Sequence, residues 1–227
     1  MSIGGIQKTS FIDYPDKLST VLFFRGCNFK CPYCHNAELI SFDGKTISEK
    51  EVLQELSKRI RYIDSVVISG GECTLSDKLM EIISEIRSIG YNVKLDTNGT
   101  MPGRIKELID HNLLDYIAMD IKAPLGKYEQ VAGVPINLNK IKNSVNLIMN
   151  QMDKYEFRTT VSLDLLTKED IIEIAYWLKG ARKFVIQNFS DSENVLCGKN
   201  KLRPYDSDSL STIQAEIQHL FGEVIIR

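Results

Sequence analysis

Short apolar stretches rich in β-branched residues alternate with amphipathic stretches along this chain. Short, continuous apolar runs bounded by polar or turn-forming residues are typical of buried strands. They predict six strands, at 18–24, 65–69, 92–96, 116–121, 156–162 and 183–187. Apolar residues at helical spacing predict a helix after each strand, at 48–60, 76–89, 102–112, 138–149, 168–178 and 207–220. Strand and helix therefore alternate six times.

Several of the predicted helices have recognisable ends. Ser48 stands three residues before Glu51, and Thr167 stands three residues before Asp170, which is the spacing of a capping box. Gly90 follows the apolar pattern of the second helix, where a glycine commonly ends a helix. These signals support the helical interpretation.

Repeated βα units favour parallel strands with right-handed crossovers, in either an open doubly wound sheet or a complete or partial barrel. In each architecture ligands bind at the carboxyl ends of the strands. The chemically unusual segments follow predicted strands, at 26–36, 70–73 and 97–99, with Lys122 after the fourth. We therefore expect them to meet at one rim.

The composition is ordinary for a globular protein. The chain has 227 residues, of which 43% are hydrophobic and 26% charged, with a formal net charge of -2. This length predicts a single domain over 1–227, and the charge gives no footprint for nucleic acid. The sequence shows neither a signal-peptide pattern nor an apolar run long enough for a membrane helix. We expect a cytoplasmic protein without a nucleic-acid or membrane partner.

Three of the five cysteines fall within eight residues. Cys27, Cys31 and Cys34 have C-x3-C-x2-C spacing on a loop that leaves the first predicted strand. A structural zinc site needs four ligands, and the only nearby candidate, His35, directly follows Cys34. A cubane iron-sulfur cluster on three cysteines would instead keep one iron open for a substrate or cofactor. A zinc knuckle or three unrelated core thiols remain the alternatives.

The cysteine motif, with Tyr33 just before its last cysteine, resembles the signature of the radical S-adenosylmethionine (SAM) superfamily. The resemblance implies a [4Fe-4S] cluster on Cys27, Cys31 and Cys34, whose open iron chelates the amino and carboxylate groups of SAM. The reduced cluster then cleaves SAM to methionine and a 5'-deoxyadenosyl radical. The implied fold is a partial (β/α)6 TIM-like barrel of the radical SAM type.

Further motifs imply the residues that contact SAM. Gly70, Gly71 and Glu72 resemble the GGE motif that meets the SAM amino group, although Cys73 stands where that family usually has proline. Tyr33, His35 and Asn36 belong to the cysteine loop. Arg158, on the fifth strand, stands where these relatives place an arginine facing SAM, and Gln187 is at the end of the sixth strand. A Gly-Gly-Glu turn and a surface arginine are the simpler alternatives.

Two other motifs resemble a narrower group, the activating enzymes of glycyl radical enzymes. They are Asp96-Thr97-Asn98 and the pair Asp120 and Lys122. The resemblance implies that the aspartates and the threonine lie near the methionine end of SAM, where a monovalent cation can bind, and that the lysine meets the SAM carboxylate. The alternative is a turn and a surface ion pair.

The segments 5–18 and 24–36 resemble anaerobic ribonucleoside-triphosphate reductase activating proteins. This implies removal of a hydrogen atom from a glycine Cα of a partner, anaerobic ribonucleotide reductase or another glycyl radical enzyme, with a flavodoxin- or ferredoxin-like electron donor. Two other functions remain open. One is a radical SAM reaction on a small molecule, as in a deazapurine synthase. The other is a non-catalytic iron-sulfur protein with Cys73 or Cys197 as fourth ligand.

Overall fold

A computed structural model describes residues 2–227 and centres on one eight-stranded sheet whose strands are ordered as they occur in the chain. The strands are β1 (Ile3–Ser10), β2 (Ser19–Phe24), β3 (Ser65–Gly70), β4 (Asn92–Thr97), β5 (Tyr116–Asp120), β6 (Tyr155–Val161), β7 (Lys183–Asn188) and β8 (Glu223–Ile226). The helices are α1 (Glu49–Arg59), α2 (Leu79–Ile89), α3 (Pro102–Asp110), α4 (Tyr128–Ala132), α5 (Leu138–Gln151), α6 (Lys168–Trp177) and α7 (Ser207–Ile217). Short 3-10 turns lie at Ala37–Leu39, Cys73–Leu75, Leu125–Lys127 and Gln218–Leu220.

The six predicted strands are β2 to β7, and each lies parallel to the next. Three elements were not predicted. The strand β1 pairs antiparallel with β2, β8 adds a parallel strand beyond β7, and α4 follows β5. Across residues 2–227 the sheet order starts with β1 and ends with β8, so the sheet is open.

The predicted helix ends are confirmed. Both capping boxes form, at Ser48 with Glu51 before α1 and at Thr167 with Asp170 before α6. Gly90 ends α2 in the left-handed conformation, with φ of 112°. No helix within residues 2–227 is both long and apolar enough to cross a membrane.

Successive side chains of a strand point to opposite faces of the sheet, and the two faces of this sheet differ in character. On one face, residues such as Ile68, Leu95 and Phe157 belong to the large core that the helices cover. The opposite face holds only a small apolar cluster, which includes Val67 and Tyr116. Towards the carboxyl ends of β3 to β6 this second face becomes polar and charged, and there it forms the candidate site.

Candidate functional site

The cysteine loop (residues 25–45) follows β2, and hydrogen bonds join its first residues to its last ones. The backbone N–H of Gly26 donates to the carbonyl of Leu39 at 2.7 Å. The Arg25 guanidinium donates to four carbonyl oxygens in the segment 38–45. These bonds hold a loop that has almost no regular secondary structure of its own.

The loop after β3 docks directly against the start of the cysteine loop. The backbone N–H of Gly71 donates to the carbonyl of Phe24, and that of Glu72 donates to the carbonyl of Gly26, both at 2.8 Å. A Cβ atom on Gly71 would overlap the Gly26 carbonyl, and Gly70 has a φ of 118°, which favours glycine. The paired glycines therefore let two loop backbones approach closely.

The Glu72 carboxylate joins the loops after β3 and β4. Glu72 is 1% exposed. Its carboxylate accepts hydrogen bonds from the Thr74 backbone N–H at 3.1 Å and from the Thr74 hydroxyl. It also accepts from the Thr97 hydroxyl at 2.8 Å and from the Asn98 backbone N–H at 2.6 Å. Burial raises the pKa of Glu72, and these donors oppose the rise. In the structure this carboxylate is occupied by backbone and hydroxyl donors and is not part of the cavity wall. The backbone of the two preceding glycines faces the cavity instead.

A cavity of about 190 Å³ lies at the carboxyl ends of β3 to β6, beside the cysteine loop. It brings together thirteen of the sixteen predicted site residues. They are Cys27, Cys31, Tyr33, Cys34, Asn36, Gly70, Gly71, Asp96, Thr97, Asn98, Asp120, Lys122 and Arg158. The rim predicted from the strand ends is therefore present.

Besides Glu72, two predicted site residues do not line this cavity. Nε2 of His35 donates to the carbonyl of Ser190 at 2.6 Å, and its ring packs against Phe189. Gln187 lies opposite Thr160 near the end of β7. Because the His35 ring points to the loop after β7, it is not directed toward the cavity that the three thiols share. This orientation disfavours the zinc alternative.

The three cysteine thiols on the cavity wall are free, and Cys31 is 6% exposed. Burial raises the pKa of the Cys27 thiol to about 12, and it also raises the pKa of Cys31. Thiolates bind iron, so binding of a metal cluster must release these protons. The Tyr33 hydroxyl on the same wall is buried, and it has no hydrogen-bond partner within residues 2–227. Three soft ligands and an unpaired polar atom in one cavity fit a three-cysteine cluster with a bound ligand.

The two remaining cysteines do not line the cavity. Cys73 is 1% exposed, and its thiol donates to the carbonyl of Asp96 at 3.2 Å. Cys197 lies on the loop after β7, where its backbone N–H donates to the carbonyl of Pro32 at 3.0 Å. The Leu196 N–H donates to the Cys34 carbonyl at 2.9 Å. This late loop therefore covers the cysteine loop by backbone contacts, which the sequence did not predict.

A charged cluster made of Lys94, Asp96, Asp120, Lys122 and Arg158 lies beside the thiols, and all of its members except Lys94 line the cavity. Arg158 bridges the two carboxylates, with Nε 2.8 Å from Asp120 Oδ1 and Nη1 3.4 Å from Asp96 Oδ2. The Lys122 ammonium lies 3.1 Å from Asp120 Oδ2, and the Lys94 ammonium pairs with Asp96 Oδ1. Three cations against two anions leave the charged cluster with a formal charge of +1.

Contacts within the charged cluster shift the pKa of Asp120 and of Lys122. Burial by itself raises the pKa of Asp120, but Arg158 and Lys122 outweigh it and hold that pKa well below its ordinary value. Burial lowers the pKa of Lys122, but Asp120 more than compensates and raises it. Asp120 and Lys122 therefore stay ionised, and an incoming carboxylate would meet the Lys122 and Arg158 cations on the cavity wall.

Lys94 does not line the cavity, but it is the member of the charged cluster that sequence reasoning missed. It lies two residues before Asp96 on β4, so both side chains point to the same face of the sheet. The signal was available, because a lysine within a predicted buried strand is rarely fully buried unless it is paired. Sequence position alone did not show which partner it has.

The chain was then compared with known proteins. The sequence model of the Radical SAM superfamily matches residues 21–178. The chain belongs to the radical SAM superfamily. Membership in this family implies SAM and a [4Fe-4S] cluster, in agreement with the cysteine spacing.

Several proteins similar to this chain are named as activating enzymes. A Methanocaldococcus jannaschii protein, named provisionally as a glycyl-radical enzyme activating enzyme, is 37% identical over 84% of this chain and 81% of its own length. The pyruvate formate-lyase-activating enzyme of Clostridium pasteurianum is 32% identical over 53% of this chain and 52% of its own. A 7-carboxy-7-deazaguanine synthase of Aquifex aeolicus is 35% identical over 37% of this chain and 37% of its own length.

Solved structures confirm the predicted partial TIM-like barrel. Streptococcus suis SuiB bound to S-adenosylmethionine has a TM-score of 0.69 at 15% identity, over 91% of this chain and 51% of SuiB. A domain of pyruvate-formate lyase-activating enzyme from Bacteroides vulgatus has a TM-score of 0.59 at 14% identity, over 72% of this chain and 99% of that domain. At these identities the likeness shows the fold alone. The chain spans about half the length of SuiB and of the Clostridium relative.

Proposed function

We propose that this chain is a glycyl radical enzyme activating enzyme. It holds a [4Fe-4S] cluster through Cys27, Cys31 and Cys34 and binds SAM in the adjoining cavity. The observation that carries the proposal is the shared cavity itself, which is lined both by three free thiols and by Asp96, Asp120, Lys122 and Arg158 of the charged cluster. An iron-sulfur cluster needs the soft sulfur ligands, and the SAM carboxylate needs the neighbouring cations, so this cavity suits the two bound together.

When bound, the reduced cluster with SAM supplies a 5'-deoxyadenosyl radical that removes a hydrogen atom from a glycine Cα of the partner. The residues of this chain bind SAM and orient it. The backbone of Gly70 and Gly71 receives the amino end of SAM, and Lys122 and Arg158 receive its carboxylate. Asp120 accepts from both cations and keeps them in place, while burial of the cavity excludes water from the reacting groups.

A peptide substrate is favoured over a small molecule by the extent of the similarity. The relative named as an activating enzyme is 37% identical over 84% of this chain, whereas two deazaguanine synthases are 35% identical over 37% of it and 26% identical over 69% of it. The open sheet also leaves room for a loop of a partner protein beside the cavity. We propose anaerobic ribonucleotide reductase as the partner and a flavodoxin- or ferredoxin-like protein as the electron donor.

The first test is cleavage of SAM by the chain alone. The protein is reconstituted with iron and sulfide without oxygen, reduced, mixed with SAM and assayed for 5'-deoxyadenosine. The parent should form this product, and Cys31→Ala should not. Cys197→Ala is the matched control, because that thiol is outside the cavity and should be dispensable. A fully loaded parent that never cleaves SAM would refute the proposal in favour of an electron carrier.

The second test concerns the partner. The reduced holoprotein with SAM is incubated with anaerobic ribonucleotide reductase, and electron paramagnetic resonance is recorded. The expected signal is a glycyl radical whose splitting collapses when the partner carries deuterated glycine. SAM cleavage that leaves no radical on this reductase would exclude that partner and point to another glycyl radical enzyme or a small molecule.

A further inference from the structure

Lys94 is a buried cation that the proposed chemistry does not use. Its side chain is 1% exposed, and its ammonium pairs with Asp96 Oδ1. In the sheet register it stands between Val67 on β3 and Tyr116 on β5, which belong to a small apolar cluster. A lysine is rarely fully buried unless it is paired, and the Asp96 carboxylate provides that partner.

The carboxylate oxygens expected to bind a monovalent cation already have donors. Asp96 Oδ2 accepts from the Ser69 hydroxyl at 3.2 Å and faces Arg158 Nη1 at 3.4 Å. Asp120 Oδ1 accepts from Arg158 at 2.8 Å, and Oδ2 accepts from Lys122 at 3.1 Å. With Lys94 on the remaining oxygen of Asp96, every carboxylate oxygen of the pair has a cationic or hydroxyl partner.

The expected threonine ligand is also engaged. The Thr97 hydroxyl donates to Glu72 at 2.8 Å and accepts from the backbone N–H of Gly99 at 3.1 Å. A metal cation needs several oxygen ligands, and here it would have to share every one of these oxygens with a hydrogen-bond donor or a side-chain cation that already contacts it. It would also stand beside the Lys94 ammonium, in a cluster that already has excess positive charge. The described residues therefore do not fit the monovalent cation that the resemblance implies.

We propose that the Lys94 ammonium takes the place of that cation, so that SAM binds and is cleaved without added potassium or sodium. A tethered ammonium gives the same charge at the Asp96 carboxylate that a bound ion would give, and it cannot dissociate. The inference rests on the proposed SAM site, and it concerns how the charge of that site is balanced.

The experiment uses the reconstituted, reduced holoprotein. SAM affinity is measured by equilibrium dialysis, and 5'-deoxyadenosine formation is measured in parallel, in potassium chloride and in tetramethylammonium chloride of equal ionic strength. Tetramethylammonium is too large for an oxygen-lined ion site. Both quantities should differ by less than about two-fold between the salts, because a fixed side-chain charge does not depend on the medium cation.

The Lys94→Met variant keeps the length of the side chain and removes its charge. In tetramethylammonium it should bind SAM about tenfold more weakly than the parent, equivalent to about 1.4 kcal/mol of binding free energy, because the charge of the Asp96 carboxylate is then less well balanced. Potassium should restore much of that loss. Lys106→Met is the control, because this lysine is exposed on α3 and pairs with Asp110. The SAM affinity of this variant should equal that of the parent in both salts.

The possible failures are distinguishable. If the parent binds or cleaves SAM only when potassium or sodium is present, the inference is overturned while the SAM site stands. If the parent binds no SAM in either salt, both the proposed function and the inference are overturned. The parent measurements need no variant, so a Lys94→Met protein that fails to fold leaves the decisive comparison intact.

Discussion

Replacing Gly71 by alanine adds one methyl group where the loop after β3 meets the cysteine loop. The new Cβ would lie 2.7 Å from the Gly26 carbonyl carbon and 3.1 Å from the Leu39 carbonyl oxygen. Both neighbours are backbone atoms, so no side chain can rotate away. The two loops must separate, which lengthens the hydrogen bonds from Gly71 to Phe24 and from Glu72 to Gly26, both 2.8 Å.

The magnitude follows from these contacts. Overpacking one methyl group in a rigid environment costs about 1–3 kcal/mol, and each weakened hydrogen bond adds up to about 1 kcal/mol. We expect Gly71→Ala to lower the free energy of unfolding by about 2–4 kcal/mol. Gly103 is the matched control, because a Cβ there meets no atom within 4 Å and the residue is in the first turn of α3. Gly103→Ala should raise the same free energy by about 0.4–1 kcal/mol.

Urea denaturation of the apoproteins, followed by circular dichroism, measures both changes. Iron and sulfide content after anaerobic reconstitution is the second readout. Gly71→Ala should hold less cluster than the parent, because the loop that carries the thiols is displaced. Should Gly71→Ala unfold at the same urea concentration as the parent and load a full cluster, the close approach of the two loops would not constrain the site.

Three further outcomes follow from the same structure. Cys73→Ala should load as much iron as the parent, as measured by iron and sulfide analysis, because its thiol contacts the Asp96 carbonyl outside the cavity wall; a lower iron content would make Cys73 a ligand. Arg158→Lys should weaken SAM binding about tenfold in equilibrium dialysis, since a lysine cannot bridge both aspartates; unchanged affinity would exclude the bridging role. Because Arg158 and Lys122 lower the pKa of Asp120 in the folded chain, its contribution to stability is present above about pH 4 and is lost as the pH falls below that value. Urea titrations between neutral and acidic pH should show a fall in the free energy of unfolding of the parent and a smaller fall for Asp120→Asn. Equal falls in the two proteins would contradict the proposed contribution of Asp120.

Much of this protein could be predicted from local sequence. The alternation of β2 to β7 with helices was predictable because strands buried on both faces are continuous apolar runs, and the intervening helices have a period of 3.6 residues. Both capping boxes formed because each depends on residues only three positions apart. The spacing of Cys27, Cys31 and Cys34 likewise indicated a cluster without any tertiary information.

Tertiary structure decided the rest, because it depends on neighbours distant in the chain. The strands β1 and β8 lie at the sheet edges, where the apolar pattern is weak, and only their pairing with β2 and β7 makes them strands. The direction of the Glu72 carboxylate depends on donors more than twenty residues away, at Thr97 and Asn98. The role of Lys94 depends on which face of β4 turns inward and on the ion pairs that β5 and β6 bring to Asp96 and Asp120. Local sequence therefore determined which chemical groups reach the rim, whereas packing and charge balance across the sheet determined which of them are already paired and which are left to bind a ligand.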